Sequence, residues 1–242
     1  MEIIKVVDLK KSFGTVEVLN RLSFQIQEGE RIAIMGSSGC GKTTLLKIIG
    51  LIEDSTEGNV YYKGQDKQSL SNDEISEIRL NDIGFVFQDF RLLDSLTVKE
   101  NIMLPMIIGR EEEDVMLDKC DYYAEKVGIK HLLDNKPWQI SGGEKQRTVI
   151  CRALINDPSI IYADEPTGNL DSKNGKIIMD ILVNTNIELN KTLIIVTHDP
   201  LIASYCNRVI WLKDGSLAYE IRENNKEKLY IEIIEKMKNY NL

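Results

Sequence analysis

The chain has 242 residues and a formal net charge of −8, enough for one large domain, or one domain with a subdomain, whose core needs no disulfide or metal staple. The acidic balance argues against a dedicated nucleic-acid binder, whose surface usually carries a basic face. No apolar run approaches the ~20 residues that cross a bilayer, so a membrane role requires another chain to supply the spanning helices.

Taken in order, the N-terminal stretch "MEIIKVVDLKKSFG" is acidic at Glu2 and reads as a strand rather than a signal peptide. "IIKVVDL" and "RLSFQI" alternate enough for half-buried strands, and "EGERIAIMG" is an apolar run ending in glycine, as a buried strand feeding a loop does. "TTLLKIIGL" has apolar residues at helical spacing, and "EGNVYYKG" is a short strand between glycines. Ser71 and Glu74 in "SNDEISEIRL" form a capping box, and Thr97 and Glu100 in "TVKENIMLP" repeat it in a helix expected to stop at Pro105. From Glu111 to Lys126 carboxylates precede a helically spaced apolar set, as the helix dipole favours. Residues 91–140 therefore read as a helical subdomain inserted between 1–90 and 141–242, which form an α/β core with an antiparallel β subdomain.

After Ser141 the α/β alternation returns: helix "EKQRTVICRALI", strand "SIIYADEP", a long helix from about Lys173 to Leu189, then strand "TLIIVTHD". "RVIWLKDGSLAYEI" is two strands joined by an Asp-Gly turn. A C-terminal amphipathic helix is expected over 222–242, docked on its own domain or on a partner. The four cysteines, Cys40, Cys120, Cys151 and Cys206, are scattered without a CxxC pair and read as small buried thiols of a reducing compartment. Cys40, inside a glycine loop, is either a tolerated small side chain or a redox switch.

"GSSGCGKT", from Gly36 to Thr43, fits G-x-x-x-x-G-K-[ST] with a strand before it and a helix after it. Its glycines let backbone N–H groups of Ser37, Ser38, Gly39, Cys40 and Gly41 point at phosphate oxygens, with the dipole of the following helix behind them. In such a loop Lys42 reaches the β- and γ-phosphates and the Thr43 hydroxyl ligates Mg²⁺, with Thr44 next in line. In "SIIYADEP" a buried strand delivers Asp164, suited to Mg²⁺ through water, and Glu165, suited to be the base for an attacking water. His198 ends the next strand, so it can share an edge with Glu165 and contact the γ-phosphate or the water. His131 reads as structural. Gln88 follows another short apolar run, where its amide could complete the metal shell. "ISGGEKQR", from Ile140 to Arg147, looks like a second anion cradle a hundred residues after the first.

This ordered set resembles the ATPase subunits of ABC transporters over residues 2 to 220. "GSSGCGKT" is similar to the family's Walker A, "SIIYADEP" to its Walker B and "ISGGEKQR" to its signature. Gln88 matches the Q-loop, "GNLD" ending at Asp171 the D-loop, His198 the switch histidine, and Phe13 the aromatic that stacks on adenine. The resemblance implies a P-loop NTPase fold, ATP and Mg²⁺ as cofactors, and Lys42, Glu165 and His198 as catalytic residues. Thr43, Gln88 and Asp164 would serve the metal. It further implies a head-to-tail dimer in which Ser141, Gly142, Gly143 and Glu144 serve the ATP of a second copy, a membrane permease partner, and a peripheral place on the cytoplasmic membrane face.

"IGFVFQDFRLLDSLTVKENIMLP", "ADEPTGNLDS" and "THDPLIASYCNRVIWLKDG" resemble the subgroup of lipoprotein-release, macrolide-efflux and bacitracin-resistance ATPases. The last of these stretches resembles the branch that exports or detoxifies antimicrobial peptides, which implies a sensor histidine kinase reached through the permease. The alternatives are lipoprotein release, macrolide-type efflux, and a cell-division ATPase that activates a wall hydrolase. A soluble ABC ATPase of DNA repair or translation would carry coiled-coil insertions or fused ATPase domains, which this chain lacks. A metabolic kinase would leave "ISGGEKQR" unexplained. The chain departs from the common family pattern at Phe13 (tyrosine), Ile140 (leucine) and Glu144 (glutamine), and Glu144 places a negative charge beside a phosphate site unless Lys145 or Arg147 offsets it.

Overall fold

The computed structural model describes residues 1–239. Two sheets organise it. A four-stranded antiparallel sheet has the order β2-β1-β4-β5, from β1 (Glu2–Phe13), β2 (Val16–Gln27), β4 (Glu57–Tyr62) and β5 (Gln65–Asp66). A six-stranded sheet has the order β10-β9-β3-β8-β7-β6, from β3 (Arg31–Gly36), β6 (Ile83–Phe87), β7 (Ile160–Asp164), β8 (Thr192–Val196), β9 (Arg208–Lys213) and β10 (Ser216–Arg222). All its pairings are parallel except the β9–β10 hairpin, which turns through Asp214 and Gly215, both at positive φ as a two-residue turn requires.

The central strands are buried on both faces, so they read as unbroken apolar runs. Their side chains still alternate between two cores. Ala33, Met35, Ile161, Ala163, Leu193, Ile195, Val209 and Trp211 pack toward the helices. Ile32, Ile34, Ile160, Tyr162, Ile194, Val196, Ile210 and Leu212 pack toward the antiparallel sheet and α1 (Lys42–Ile49). The six-stranded sheet is thus the middle layer. Because β3, β6, β7 and β8 run parallel, their carboxyl ends share one edge, where Phe87 pairs with Asp164 and Asp164 with Val196.

The expected capping boxes open α2 (Asn72–Asn81) and α3 (Val98–Gly109). α3 does not stop at Pro105 but runs on to Gly109. An internal proline costs a helix about 3 kcal/mol. Burial of Met106 one residue later offsets that loss, and the helix closes only at Arg110, in the left-handed conformation, with Glu111 N–H on the Met106 carbonyl. α4 (Glu113–Lys126) follows, then short 3-10 turns, then α5 (Gly142–Leu154). α6 (Ser172–Leu189) and a four-residue α7 (Pro200–Ala203) complete the helical face.

Two further expectations need correction. β1 and β2 are twelve residues each and meet at a Gly14–Thr15 turn, longer than the stretches whose alternation is visible. Positive φ at Asp8 and Arg21 and shifts in register interrupt their period of two. The terminal helix, α8 (Lys226–Asn239), starts after residue 222, because Arg222 still belongs to β10; residues 240–242 lie outside the described range. α8 docks on its own domain: Leu229 and Ile233 are fully buried, and Lys226 lies over the Tyr205 ring.

Candidate active site

The loop after β3 needs glycine for space as well as for conformation. A Cβ on Gly36 would lie 2.5 Å from Cys40 Sγ and 2.4 Å from the Leu212 carbonyl oxygen. On Gly41 it would meet Leu19 Cδ2 at 2.6 Å. Both residues have positive φ. Cys40 is therefore the side chain that fills the floor of the loop. Burial pushes its thiol pKa up, which favours the small-side-chain reading over a redox switch. Ser37, Ser38 and Gly39 stay exposed at the rim, and Thr44 is half-buried on the first turn of α1. Lys42 is buried, its Nζ donating to the carbonyls of Gly36 (2.9 Å) and Ser37 (2.8 Å). The ammonium is thereby aimed along the loop.

Next to the loop, Thr43 Oγ1 donates to Asp164 Oδ1 at 3.3 Å. Burial raises the pKa of Asp164, partly opposed by that hydrogen bond. A hydroxyl beside a half-buried carboxylate is a hard-oxygen pair that fits Mg²⁺, which keeps waters and phosphate oxygens for its other positions. Gln88, expected in the same shell, follows the end of β6 at the same sheet edge. It packs against Gly168, where a Cβ would lie 2.8 Å from its Nε2, and its carbonyl accepts from Asn169 Nδ2 at 2.9 Å. Among the described residues no hydrogen bond joins Gln88 to Thr43 or Asp164.

Glu165 sits one residue beyond β7 at φ 46, a conformation that needs support from its surroundings. Its N–H donates to the Val196 carbonyl at 2.9 Å. Its carboxylate accepts from Thr197 Oγ1 (3.1 Å) and His198 N (3.1 Å), and pairs with His198 Nδ1 at 2.7 Å. A carboxylate offers about four lone-pair sites, so these contacts leave about one for a water. With Nδ1–H donating to Glu165, the other ring nitrogen donates to a phosphate only in the imidazolium form. Thr197, buried and bonded to Glu165, was missed by sequence reasoning. A threonine following an apolar strand and preceding His198 was the available signal.

The second cradle stands apart from the first. β3 and β6 are three interstrand steps apart in the sheet order, about 14 Å, and α5 packs on the β6 side. At its start, a Cβ on Gly143 would meet Asn174 Oδ1 at 2.6 Å, and one on Gly142 would touch Leu170 at 3.4 Å. The signature is thus pressed against the start of α6, whose N-cap Asp171 accepts from Asn174 N (2.9 Å) and Nδ2 (2.6 Å). Farther along α5, buried Gln146 donates to the Pro166 carbonyl at 2.8 Å, and Arg152 donates to the carbonyls of Arg91 (2.6 Å) and Phe90 (2.9 Å). Neither residue was singled out from sequence.

Glu144 has a local reason to be there. Its carboxylate accepts from Ser141 N at 2.7 Å and from Ser141 Oγ at 2.8 Å, and its own N–H faces Ser141 Oγ at 3.4 Å. This is a capping box, and those hydrogen bonds, more than the nearby Arg147 and His131, hold its carboxyl below the usual range. Phe13 lies near the hairpin turn of the sheet edge whose Val18–Leu19 segment touches Gly41; its ring is 49% exposed, with Lys11 Nζ 4.7 Å from its centroid.

Residues 19–168 match the protein-family model described as "ABC transporter". The ABC transporter ATP-binding protein YxdL of Bacillus subtilis is 47% identical over 220 residues, covering 90% of this chain and 86% of that one. The bacitracin export ATP-binding protein BceA of Halalkalibacterium halodurans is 40% identical over 232 residues, covering 94% and 92%. Other relatives carry names for macrolide export and lipoprotein release, which agrees with the subgroup read from sequence. Among solved structures, the ATP-binding cassette MJ0796, a dimer in a post-hydrolysis state with ADP and phosphate, superposes with a TM-score of 0.84 at 39% identity, covering 91% of this chain and 98% of that one. Two anion cradles on one P-loop NTPase fold, with an acid pair and a histidine at the shared sheet edge, meet these likenesses in one conclusion: the chain belongs to the ABC transporter family, as one of its ATPases.

Proposed function

We propose that this chain is the ATP-hydrolysing subunit of a membrane transporter for antimicrobial peptides of the bacitracin kind, working as a head-to-tail dimer on the cytoplasmic face of a permease. The observation that carries the enzymatic part is Glu165: a carboxylate at the sheet edge, held by Thr197 and His198 beside the loop of Lys42. In this reading Glu165 orients the attacking water and takes its proton, a role that contributes roughly 10²–10⁴-fold. Lys42 and His198 stabilise the charge on the transferring phosphoryl group. Thr43 and Asp164 hold Mg²⁺, which when bound neutralises phosphate charge.

The separation of the two cradles supports the dimer: the loop follows β3 and the signature opens α5 on the β6 side, three strands away, so one subunit cannot close both on the same phosphate chain. A permease fits the groove of about 320 Å³ lined by Phe87, Arg91, Pro105, Ile108 and Arg152, between the helical region and the Q-loop strand. Among the described residues no helix is long and apolar enough to cross a membrane, so the spanning part belongs to that partner. The likeness to the bacitracin exporter, 40% identical over 232 residues, supports the peptide branch. A sensor histidine kinase reached through the permease belongs to the same reading.

The test is Glu165→Gln, which should bind ATP, hardly hydrolyse it, and accumulate as a closed dimer. Wild-type turnover in that variant refutes the role given to Glu165. Copurification with a permease bearing a large extracellular domain supports the peptide branch. A small four-helix partner shifts the reading to cell division.

A further inference from the structure

Ser141 has one hydroxyl proton, and in this structure it is donated inward, to the same Glu144 oxygen that accepts Ser141 N–H. A phosphate oxygen needs that proton. The chain builds the same box at two other helix starts. In the box of Ser71 and Glu74 the hydroxyl is likewise donated to the carboxylate, at 2.7 Å. In the box of Thr97 and Glu100 the two backbone N–H bonds are complete, at 2.6 and 3.1 Å, and the threonine hydroxyl also lies against the carboxylate. In each box the helix start is held by two backbone N–H bonds that do not use the hydroxyl proton. Ser141 can turn its proton outward while Glu144 keeps the N-cap N–H and the start of α5 stays formed.

We propose that Glu144 is a positioning residue that sets the threshold for signature engagement: it fixes Ser141 in place, holds its hydroxyl proton inward, and yields it when a second copy's nucleotide arrives. This rests on the reading that Ser141 serves the ATP of a second copy. Two effects act in the same direction. The carboxylate competes with the phosphate oxygen for one proton, and its charge repels the incoming anion. Arg147, three residues on, is the cation that faces it, with the His131 ring nearby. Neither makes a hydrogen bond with the Glu144 carboxylate among the described contacts.

Glu144→Gln keeps an amide oxygen for the cap and removes both effects. The full chain carrying Glu165→Gln, with and without Glu144→Gln, is titrated with ATP and Mg²⁺, and dimerisation is followed by sedimentation at low and high salt. The ATP concentration for half-dimerisation should fall about tenfold on removing a charge a few ångströms from the phosphate. The gap should narrow at high salt, because both groups lie near solvent. In the chain with Glu165 intact, Glu144→Gln should lower KM for ATP. A shift below twofold, or a drop in melting midpoint with KM unchanged, makes Glu144 a helix cap only and overturns the proposal. Ser141→Arg separates the two readings. Loss of dimerisation in that variant leaves the two-subunit site standing whatever Glu144→Gln does, whereas intact dimerisation refutes that site and this proposal with it.

Discussion

Thr197→Val removes one hydroxyl and almost no volume, so it isolates the support of Glu165. Thr197 is fully buried, donates to Glu165 Oε2 at 3.1 Å and accepts from Asp199 N–H at 3.1 Å. Valine breaks both bonds. The bond to an ionised carboxylate is worth about 1.5–3 kcal/mol and the neutral one about 1, so unfolding should become easier by about 3 kcal/mol. Glu165 would also keep only its His198 contacts, and its left-handed backbone would lose a brace. A base free to swing should cost kcat about tenfold to a hundredfold, equivalent to about 1.4–2.7 kcal/mol of barrier, with KM for ATP little changed. Urea denaturation and steady-state ATPase assays on the same preparations separate the outcomes. Full kcat with reduced stability would mean that Thr197 supports the fold and not the base, and the geometric argument for Glu165 would lose its main brace.

Gly143→Ala should destabilise by about 1 kcal/mol instead of giving the gain of 0.5–1 that alanine usually brings to a helix. Its Cβ would drive Asn174 off Asp171; a stabilised, fully active variant in a urea titration and an ATPase assay would show that α5 and α6 do not need this approach. Leu229→Ala should cost about 2–5 kcal/mol, as for other large-to-small changes at fully buried sites. A neutral result by thermal unfolding would mean that α8 is not docked in solution as it is here.

The site was legible where a buried strand ends in an unusual residue. Gly36 and Asp164 each close an apolar run and so stand out, whereas His198 comes one residue later, after the overlooked Thr197. Pairing between strands was not legible, and with it the meeting of Glu165 and His198 was only an expectation from strand order; the 2.7 Å contact depends on β7 and β8 being neighbours. Pro105 misled because its local penalty is outweighed by tertiary burial, which no window of sequence records. Asp8 and Arg21 broke the alternation that would have revealed the full length of β1 and β2. Glu144 looked like an electrostatic fault because a sequence shows its charge and not its acceptor geometry, although the Ser141–Glu144 spacing is the same as in the two boxes that were read as boxes.

α5 spans the distance between two places of different use. Ser141 stands at its first end, and Arg152 and Ala153 line the groove assigned to the permease at its last. The distance along the rod is about 16 Å. A tilt of about 10° about the groove end would sweep the serine through about 3 Å, the span of one hydrogen bond. A nudge no larger than a side-chain repacking at the membrane side is then enough to make or break a contact with a nucleotide, and the same lever works in reverse. Coupling of that size needs no unfolding and no sliding of layers, only a stiff helix hinged where Arg152 grips the carbonyls of Phe90 and Arg91.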